Sequence, residues 1–285
     1  MLRNLLARGE LIIAPGVYDG LSTRLAVETG FEALYMSGFS VAGATYGKPD
    51  VGLLSLGEMA DAAARIVDAA GGRPVIADAD TGYGGVQNVA RTVREYERAG
   101  VACLQLEDQV HPKRCGHMEN KSVVSQDEAV ARIRAAVDSR VSDDLLVMAR
   151  TDARATDSLD EALDRGSLFL DAGADILFIE APASIREIRK IADTFRGTPL
   201  VINLVEDGKT PWLDWPTLSN MGYRLGLQPV TALLHVTANL RNTYQVMATG
   251  YAPATARESF AGFNRLVGLD EANDKADALG KPGGS

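Results

Sequence analysis

The chain has 285 residues, of which 46% are hydrophobic and 24% charged, the balance of a globular protein rather than a disordered or fibrous one. Its 29 Lys and Arg against 38 Asp and Glu leave a formal net charge of −9 with no basic stretch, which argues against nucleic acid or an anionic membrane surface as the main partner. No apolar run approaches the ~18 residues of a membrane span, the N-terminus lacks the apolar core of a secretory signal, and two cysteines cannot make a disulfide framework, so a soluble cytoplasmic protein is expected.

Eight short apolar runs recur along the chain, at residues 11–14, 33–36, 74–77, 103–106, 145–149, 176–179, 200–202 and 224–227. Their average spacing is close to the ~30 residues of a βαβ unit, and continuous apolar strands suit a parallel sheet covered on both faces. The segments between them carry helical periodicity. Residues 55–70 place Leu56, Met59, Ala60, Ala63, Ile66, Val67 and Ala70 on one stripe, and residues 87–99, 125–138, 158–172 and 184–195 read similarly. Gly30, Gly100 and Gly173 stand where a left-handed residue would stop a helix. Eightfold strand–helix alternation predicts the α/β class and a (β/α)8 barrel, with an open doubly wound sheet as the alternative. The whole chain, 1–285, reads as one barrel domain, with residues 254–285 as a C-terminal helical extension and tail: an amphipathic helix, then a polar end.

In such a barrel the chemistry sits where the strands end, and those positions are polar here. They carry Ser37 and Gly38, Asp78 and Asp80, Glu107 and Asp108, Arg150 and Asp152, Glu180, Asn203 and Gln228. Each alone could cap the following helix, but several carboxylates on one rim would repel one another without a cation. Asp78 and Asp80, two apart on a strand, point to the same face; with Glu107 on the next strand they predict a Mg2+ or Mn2+ site. The alternative reading has Asp80 bonding backbone amides before Thr81 and Gly82. Two loops on this rim are long, residues 39–54 and 108–124, as lids commonly are. The second contains KRCGH, residues 113–117, in which Lys113 and His117 flank Cys115. Cationic neighbours lower a thiol pKa and make it a usable acid or base, while Gly116 permits close approach of a substrate. Cys103 reads as a small hydrophobe inside its strand, and His235 as a structural or rim residue. Trp212 and Trp215 fit a lid wall or helix packing equally.

Taken in chain order, DADTGYG (78–84), EDQ (107–109), KRCGH (113–117), ARTDA (149–153) and Asn203 resemble the isocitrate lyase/phosphoenolpyruvate mutase superfamily over nearly the whole chain. The likeness is greatest to its short members of the 2-methylisocitrate lyase, 2,3-dimethylmalate lyase and carboxyphosphonoenolpyruvate mutase type. The resemblance implies that Asp50, Asp78, Asp80 and Glu107 hold Mg2+, directly or through water, with Asp50 also at the substrate. Ser37, Gly38, Arg150 and Gly116 would bind the 2-oxo acid or 2-hydroxy carboxylate portion, Tyr35, Glu180 and Asn203 would line the reacting centre, and Cys115 would be the catalytic acid beside Lys113 and His117. It further implies an additional C-terminal helix swapped between subunits and a homotetramer built from two such dimers. The implied activity is cleavage of a di- or tricarboxylate with a 2-hydroxyl to a 2-oxo acid such as pyruvate and a second carboxylate; oxaloacetate hydrolysis or decarboxylation, and phosphonate mutase chemistry, are the alternatives. Two departures favour a smaller, more apolar substrate than a tricarboxylate. Phe39 stands where methylisocitrate lyases carry a glycine, and PVTALL, residues 229–234, lacks the arginine of their Pro-Leu-Ser-Ala-Phe-Arg run.

Overall fold

Eight parallel strands close into one barrel in sequence order: β1 (Ile12–Val17), β2 (Leu34–Met36), β3 (Val75–Asp78), β4 (Cys103–Glu107), β5 (Leu146–Thr151), β6 (Ile176–Ile179), β7 (Leu200–Asn203) and β8 (Tyr223–Gln228). The computed structural model describes residues 1–114, 121–253 and 257–280. Closure is by β1 on β8, with Ile12 opposite Leu225 and Pro15 opposite Gln228, which removes the open-sheet alternative. Every expected apolar run coincides with a strand to within a residue at its start, and several strands run one to three residues further at their C-terminal ends.

The helices are α1 (Leu2–Leu6), α2 (Gly20–Glu28), α3 (Gly38–Tyr46), α4 (Leu56–Ala69), α5 (Val86–Arg98), α6 (Gln126–Ser139), α7 (Ala153–Thr156), α8 (Leu159–Asp171), α9 (Ile185–Thr194), α10 (Trp215–Met221), α11 (Thr231–Ala248), α12 (Phe260–Leu266) and α13 (Leu269–Gly280). Four of them open on Ser-x-x-Glu, the serine hydroxyl accepting from the glutamate N–H: Ser55, Ser125, Ser158 and Ser184 cap α4, α6, α8 and α9. Gly30, Gly100 and Gly173 follow their helices with positive φ, as expected.

Two cores result from strand parity. The barrel interior holds Ile12, Ala14, Tyr35, Ile76, Cys103, Leu146, Met148, Phe178, Val201 and Leu227, closed where the strands begin by Leu2, Leu5 and Leu6 of α1. The alternate residues, such as Val75, Leu104, Val147 and Ile202, pack outward against the helices. Cys103 is thus a buried interior hydrophobe, its thiol pushed well up by burial.

The stretch 39–54, expected to be a loop, is half helix. Ser37 caps α3 through its hydroxyl, which accepts from the Ser40 N–H at 3.3 Å. Gly38, Ser40, Val41 and Ala42 are buried, and with two glycines and little amphipathicity in GFSVAGATY the packing, not propensity, makes this helix.

By internal contacts the chain divides into Met1–Leu233, which contains the barrel, and Leu234–Ser285. The second unit contains most of α11, then α12 and α13 where a single amphipathic helix was expected. Gly268, at φ 86°, separates α12 from α13, and Ser259 caps α12 by accepting from Gly262 N–H at 2.9 Å.

Candidate active site

The period-two rule decides which side chains enter the barrel mouth. Ile76 points inward on β3, so Asp78 does too; Cys103 leads to Gln105 and Glu107, Met148 to Arg150, Phe178 to Glu180, Val201 to Asn203, and Tyr35 to Ser37. All of these polar residues are buried, as are Asp80 and Lys113. Strand register sets the neighbours: Asp78 lies opposite Gln105, and Glu107 opposite Arg150.

Two cations organise the carboxylates. Lys113 Nζ lies 2.5 Å from Asp50 Oδ1 and 2.7 Å from Asp80 Oδ1, so the residue named in the KRCGH motif reaches two carboxylates from different loops. Arg150 is gripped by Asp152, with Nε at 2.9 Å and the second terminal nitrogen at 3.1 Å. Its guanidinium also lies 3.3 Å from Glu180 Oε2 and 3.5 Å from Glu107 Oε2, over the Phe178 ring at 5.3 Å. Glu180 accepts in turn from Ala181 N–H at 2.8 Å and from the Asn203 amide at 3.2 Å. On the opposite side Tyr35 donates to Gln105 Oε1 at 3.1 Å, and Gln105 donates to Asp78 Oδ1 at 3.3 Å. Gly38 is required by close approach: a Cβ there would stand 2.7 Å from Asp78 Oδ2. Asp80 is held by Lys113 rather than used as a helix cap; α5 starts after Gly85 without a side-chain cap. Asp80 and Tyr83 carry φ of 48° and 60°, each costing about 1–3 kcal/mol for a residue with a Cβ.

Burial dominates the titration behaviour. It pushes Asp80 up to about 6 against the pull of Lys113, with Asp78 and Asp50 adding to the rise. It also drives Glu107 well above the carboxylate range despite Arg150 and Lys113, and holds the Tyr35 phenol well above its usual value, with Asp78 adding to the effect. For Lys113 the desolvation cost is outweighed by Asp80 and Asp50, so its ammonium is held well above the usual range. A cluster of this kind invites a cation, and Glu107 Oε1 is buried without a hydrogen-bond partner. Among the described residues no group of three His, Cys, Asp or Glu side chains closes around one point. A cation held here would take one or two of these carboxylates directly and complete its shell with water and substrate, as Mg2+ does.

Cys115, Gly116 and His117 lie outside the described residues. The base of their loop is ordered by a short antiparallel neck: Val110 N–H donates to Ser122 O and Val124 N–H to Asp108 O, both at 2.9 Å, and Gln109 pairs with Val123. Lys121, at the returning end, pairs with Asp152 Oδ1 at 2.6 Å. Gln105 and Lys121 are not among the expected site residues, and Asp152, expected on the rim, carries no assigned role there; strand parity points to Gln105, whereas no local signal joins Lys121 to Asp152. Trp215 packs under Gly226, where a Cβ would overlap its ring, so it is a packing residue, while Trp212 is half exposed.

A parallel barrel with buried carboxylates, a clamped arginine and an amide at the ends of its strands defines an enzyme that handles small anionic substrates. Residues 2–247 match the family model described as phosphoenolpyruvate phosphomutase. The chain is 45% identical to the 2,3-dimethylmalate lyase of Eubacterium barkeri over 95% of its length and 94% of that protein. It is 44% identical to a 2-methylisocitrate lyase of Aeropyrum pernix, covering 81% of this chain and 73% of that one. Among solved structures, oxaloacetate acetylhydrolase in complex with 3,3-difluorooxalacetate superposes with a TM-score of 0.95 at 38% identity, covering 99% of this chain and 97% of that one. Phosphonopyruvate hydrolase in complex with oxalate and Mg2+ gives a TM-score of 0.86 at 28% identity, covering 97% and 96%. The chain belongs to the isocitrate lyase/phosphoenolpyruvate mutase superfamily and is an enzyme of its carbon–carbon lyase type.

Proposed function

We propose that the protein is a Mg2+-dependent lyase that cleaves the C2–C3 bond of a 2-hydroxy dicarboxylate of the substituted-malate type, releasing a 2-oxo acid such as pyruvate and a second carboxylate. The observation that carries this reading is the inward convergence of Asp78, Glu107, Arg150, Glu180 and Asn203, with Glu107 Oε1 buried and unpaired beside an arginine. Asp78, Asp80 and Glu107 would hold the ion, directly or through water, with Asp50 behind Lys113; when bound, Mg2+ lowers the pKa of a coordinated hydroxyl and polarises the adjoining carboxylate.

The chain's own groups supply the rest. Ser37, Gly38 and Asn203 orient the carboxylates, and Arg150, held by Asp152, offers a fixed guanidinium to developing negative charge. Tyr35 and Glu180 both line this centre as possible bases; Tyr35 is kept neutral by burial and donates to Gln105, which leaves Glu180 as the acceptor for the hydroxyl proton. As the C2–C3 electron pair moves onto C3 and its carboxylate, C2 becomes the carbonyl of the oxo acid, and Cys115 returns a proton to C3. Lys113 and His117, flanking that thiol in sequence, favour its anionic form once the proton has left.

The preference for a substituted malate over 2-methylisocitrate rests on Phe39 and on the cation-free run 229–234, and is supported by the near-complete coverage of the dimethylmalate lyase relative. A second reading, hydrolysis of oxaloacetate, draws on the likeness to oxaloacetate acetylhydrolase. A panel of 2,3-dimethylmalate, 2-methylmalate, 2-methylisocitrate, isocitrate, oxaloacetate and phosphonopyruvate, assayed for pyruvate and for acid release with and without EDTA, separates these readings. Pyruvate from a malate in a metal-dependent reaction supports the proposal; acid release from oxaloacetate alone, or turnover confined to phosphonopyruvate, rejects it. The expected assembly is a homotetramer of helix-exchanging dimers, a reading favoured by exposed Leu240, Tyr244 and Met247 on α11 and Phe260 on α12. Sedimentation equilibrium tests it. Of the described residues, no helix is long and apolar enough to cross a membrane.

A further inference from the structure

The turn that carries the β3 carboxylates is held by a chain of buried and partly buried hydroxyls that the catalytic reading does not use. Between Asp80 and Gly84, four of the five residues have positive φ: Asp80 at 48°, Gly82 at 81°, Tyr83 at 60° and Gly84 at 145°. A backbone bent this far from ordinary conformations keeps its shape only when its surroundings determine it. Gly82 is pressed against α5, where a Cβ would stand 2.5 Å from Val89 Cγ2, and its carbonyl lies 3.1 Å from the Thr92 hydroxyl, whose one hydrogen is shared with Asn88 O at 2.9 Å. Tyr96, fully buried on α5, donates its hydroxyl to the backbone carbonyl of Asp78 at 2.8 Å. Its single hydrogen is thereby used, so at the 3.2 Å contact with Tyr83 the Tyr83 hydroxyl must be the donor. The chain Tyr83 to Tyr96 to Asp78 O therefore closes a loop: Tyr83 belongs to the bent turn and Asp78 begins it. Asp78 Oδ1 accepts from Asp80 N–H at 3.1 Å, so a rotation of this backbone would move both carboxylates together.

We propose that Tyr96, backed by Tyr83, is a positioning residue for the carboxylates that would hold the metal, its hydroxyl fixing the backbone that presents Asp78 and Asp80. This rests on the reading of Asp78, Asp80 and Glu107 as the cation site. Neither tyrosine is among the residues proposed to hold substrate or ion; each would act through the backbone that presents the ligands, as outer partners of metal ligands commonly do.

The test is Mn2+ binding to the substrate-free protein, followed by electron paramagnetic resonance and calorimetry, for the wild type, Tyr96→Phe and Tyr83→Phe, each with a thermal melt. Both substitutions retain the ring, so packing is kept and only hydroxyls are lost. Tyr96→Phe is expected to weaken Mn2+ binding roughly 10-fold, the lower end of what loss of an outer partner costs. Tyr83→Phe, which leaves the Tyr96–Asp78 bond in place, is expected to weaken it by less. Melting temperatures should fall by only a few degrees in both, roughly what one lost hydrogen bond costs. A Tyr96→Phe protein that melts earlier yet binds Mn2+ as the wild type does overturns the proposal, because the hydroxyl would then serve stability alone. Failure of the wild type to bind Mn2+ overturns the cation reading itself and the inference with it.

Discussion

Replacing Asp152 with asparagine tests whether the arginine at the barrel mouth is held as the structure indicates. The Asp152 carboxylate accepts two bonds from Arg150, at 2.9 and 3.1 Å, and one from Lys121 at 2.6 Å, and its side chain is fully buried. Asparagine keeps the shape but has one acceptor oxygen and turns an NH2 toward a cation, so one of the cations faces a donor and both lose their counter-charge. Breaking a buried pair by removing one partner costs about 3–5 kcal/mol, a large part of the ~5–15 kcal/mol that stabilises a typical domain. The pH dependence has a definite sign. Arg150 and Lys121 outweigh the burial cost and hold the Asp152 carboxyl well below the usual range. The folded protein therefore binds fewer protons than the unfolded chain, in which the group titrates near ~4. The stability contributed is complete above that value and is lost as the pH falls toward the folded-state value. Urea unfolding of Asp152→Asn should show the loss at pH 7 and a flatter decline between about pH 5 and 3 than the wild type. Turnover should drop along with it, since Arg150 loses its bidentate support. A variant within 0.5 kcal/mol of the wild type at pH 7, about the size of an ordinary surface substitution, would refute the clamp.

Other perturbations address the chemistry directly. Cys115→Ser should lower lyase turnover by roughly 10²–10⁴, the usual contribution of a general acid, with little change in KM; unaltered pyruvate release would remove the thiol from the mechanism. Dialysis against EDTA should abolish activity and Mg2+ or Mn2+ should restore it, whereas full activity in the chelator would reject the ion. Gly38→Ala places a methyl group 2.7 Å from Asp78 Oδ2, so turnover should collapse while the melting temperature changes by only a few degrees. By contrast Gly166→Ala, whose Cβ would meet Phe195 Cζ at 2.7 Å in the core between α8 and the outside of the barrel, should cost about 1–3 kcal/mol by overpacking and leave kcat/KM nearly intact in the folded fraction, as activity per folded molecule would show.

Much of the barrel was legible because its strands are continuous apolar runs and its helices announce themselves with Ser-x-x-Glu starts and glycine stops. The site residues were legible for a related reason. A polar side chain closing an apolar strand is conspicuous, and strand parity sends Asp78, Glu107, Arg150, Glu180 and Asn203 into one mouth. Helix α3 was hidden, since its small, glycine-rich sequence becomes helical only when Ser37 caps it and the barrel covers it. Gln105 was hidden inside an apolar run, although it links Tyr35 to Asp78. The partnerships of Lys113 with Asp50 and of Lys121 with Asp152 join segments distant in sequence, and only the fold brings them together.

These pairings also bear on how so acidic a mouth would accept the dianion proposed as its substrate. Asp50 and Asp80 share one ammonium, and Asp152, Glu107 and Glu180 surround one guanidinium, with Lys121 behind Asp152. Carboxylates thus outnumber the described cations that meet them, and burial already drives Glu107 toward its protonated form. A dicarboxylate entering this field unaccompanied would meet net repulsion in a medium where charge is poorly screened. On the proposed reading, a divalent cation held by Asp78, Asp80 and Glu107 would make the same surplus its ligand set and leave Arg150, fixed by Asp152, to meet charge that develops during bond cleavage. Substrate affinity should consequently depend on cation concentration far more steeply than on ionic strength at constant cation. Equilibrium binding of oxalate, a small dianion, titrated at several Mg2+ concentrations and several salt concentrations, measures both slopes; equal binding with and without Mg2+ would mean that Arg150 and Lys113 alone suffice to hold the dianion.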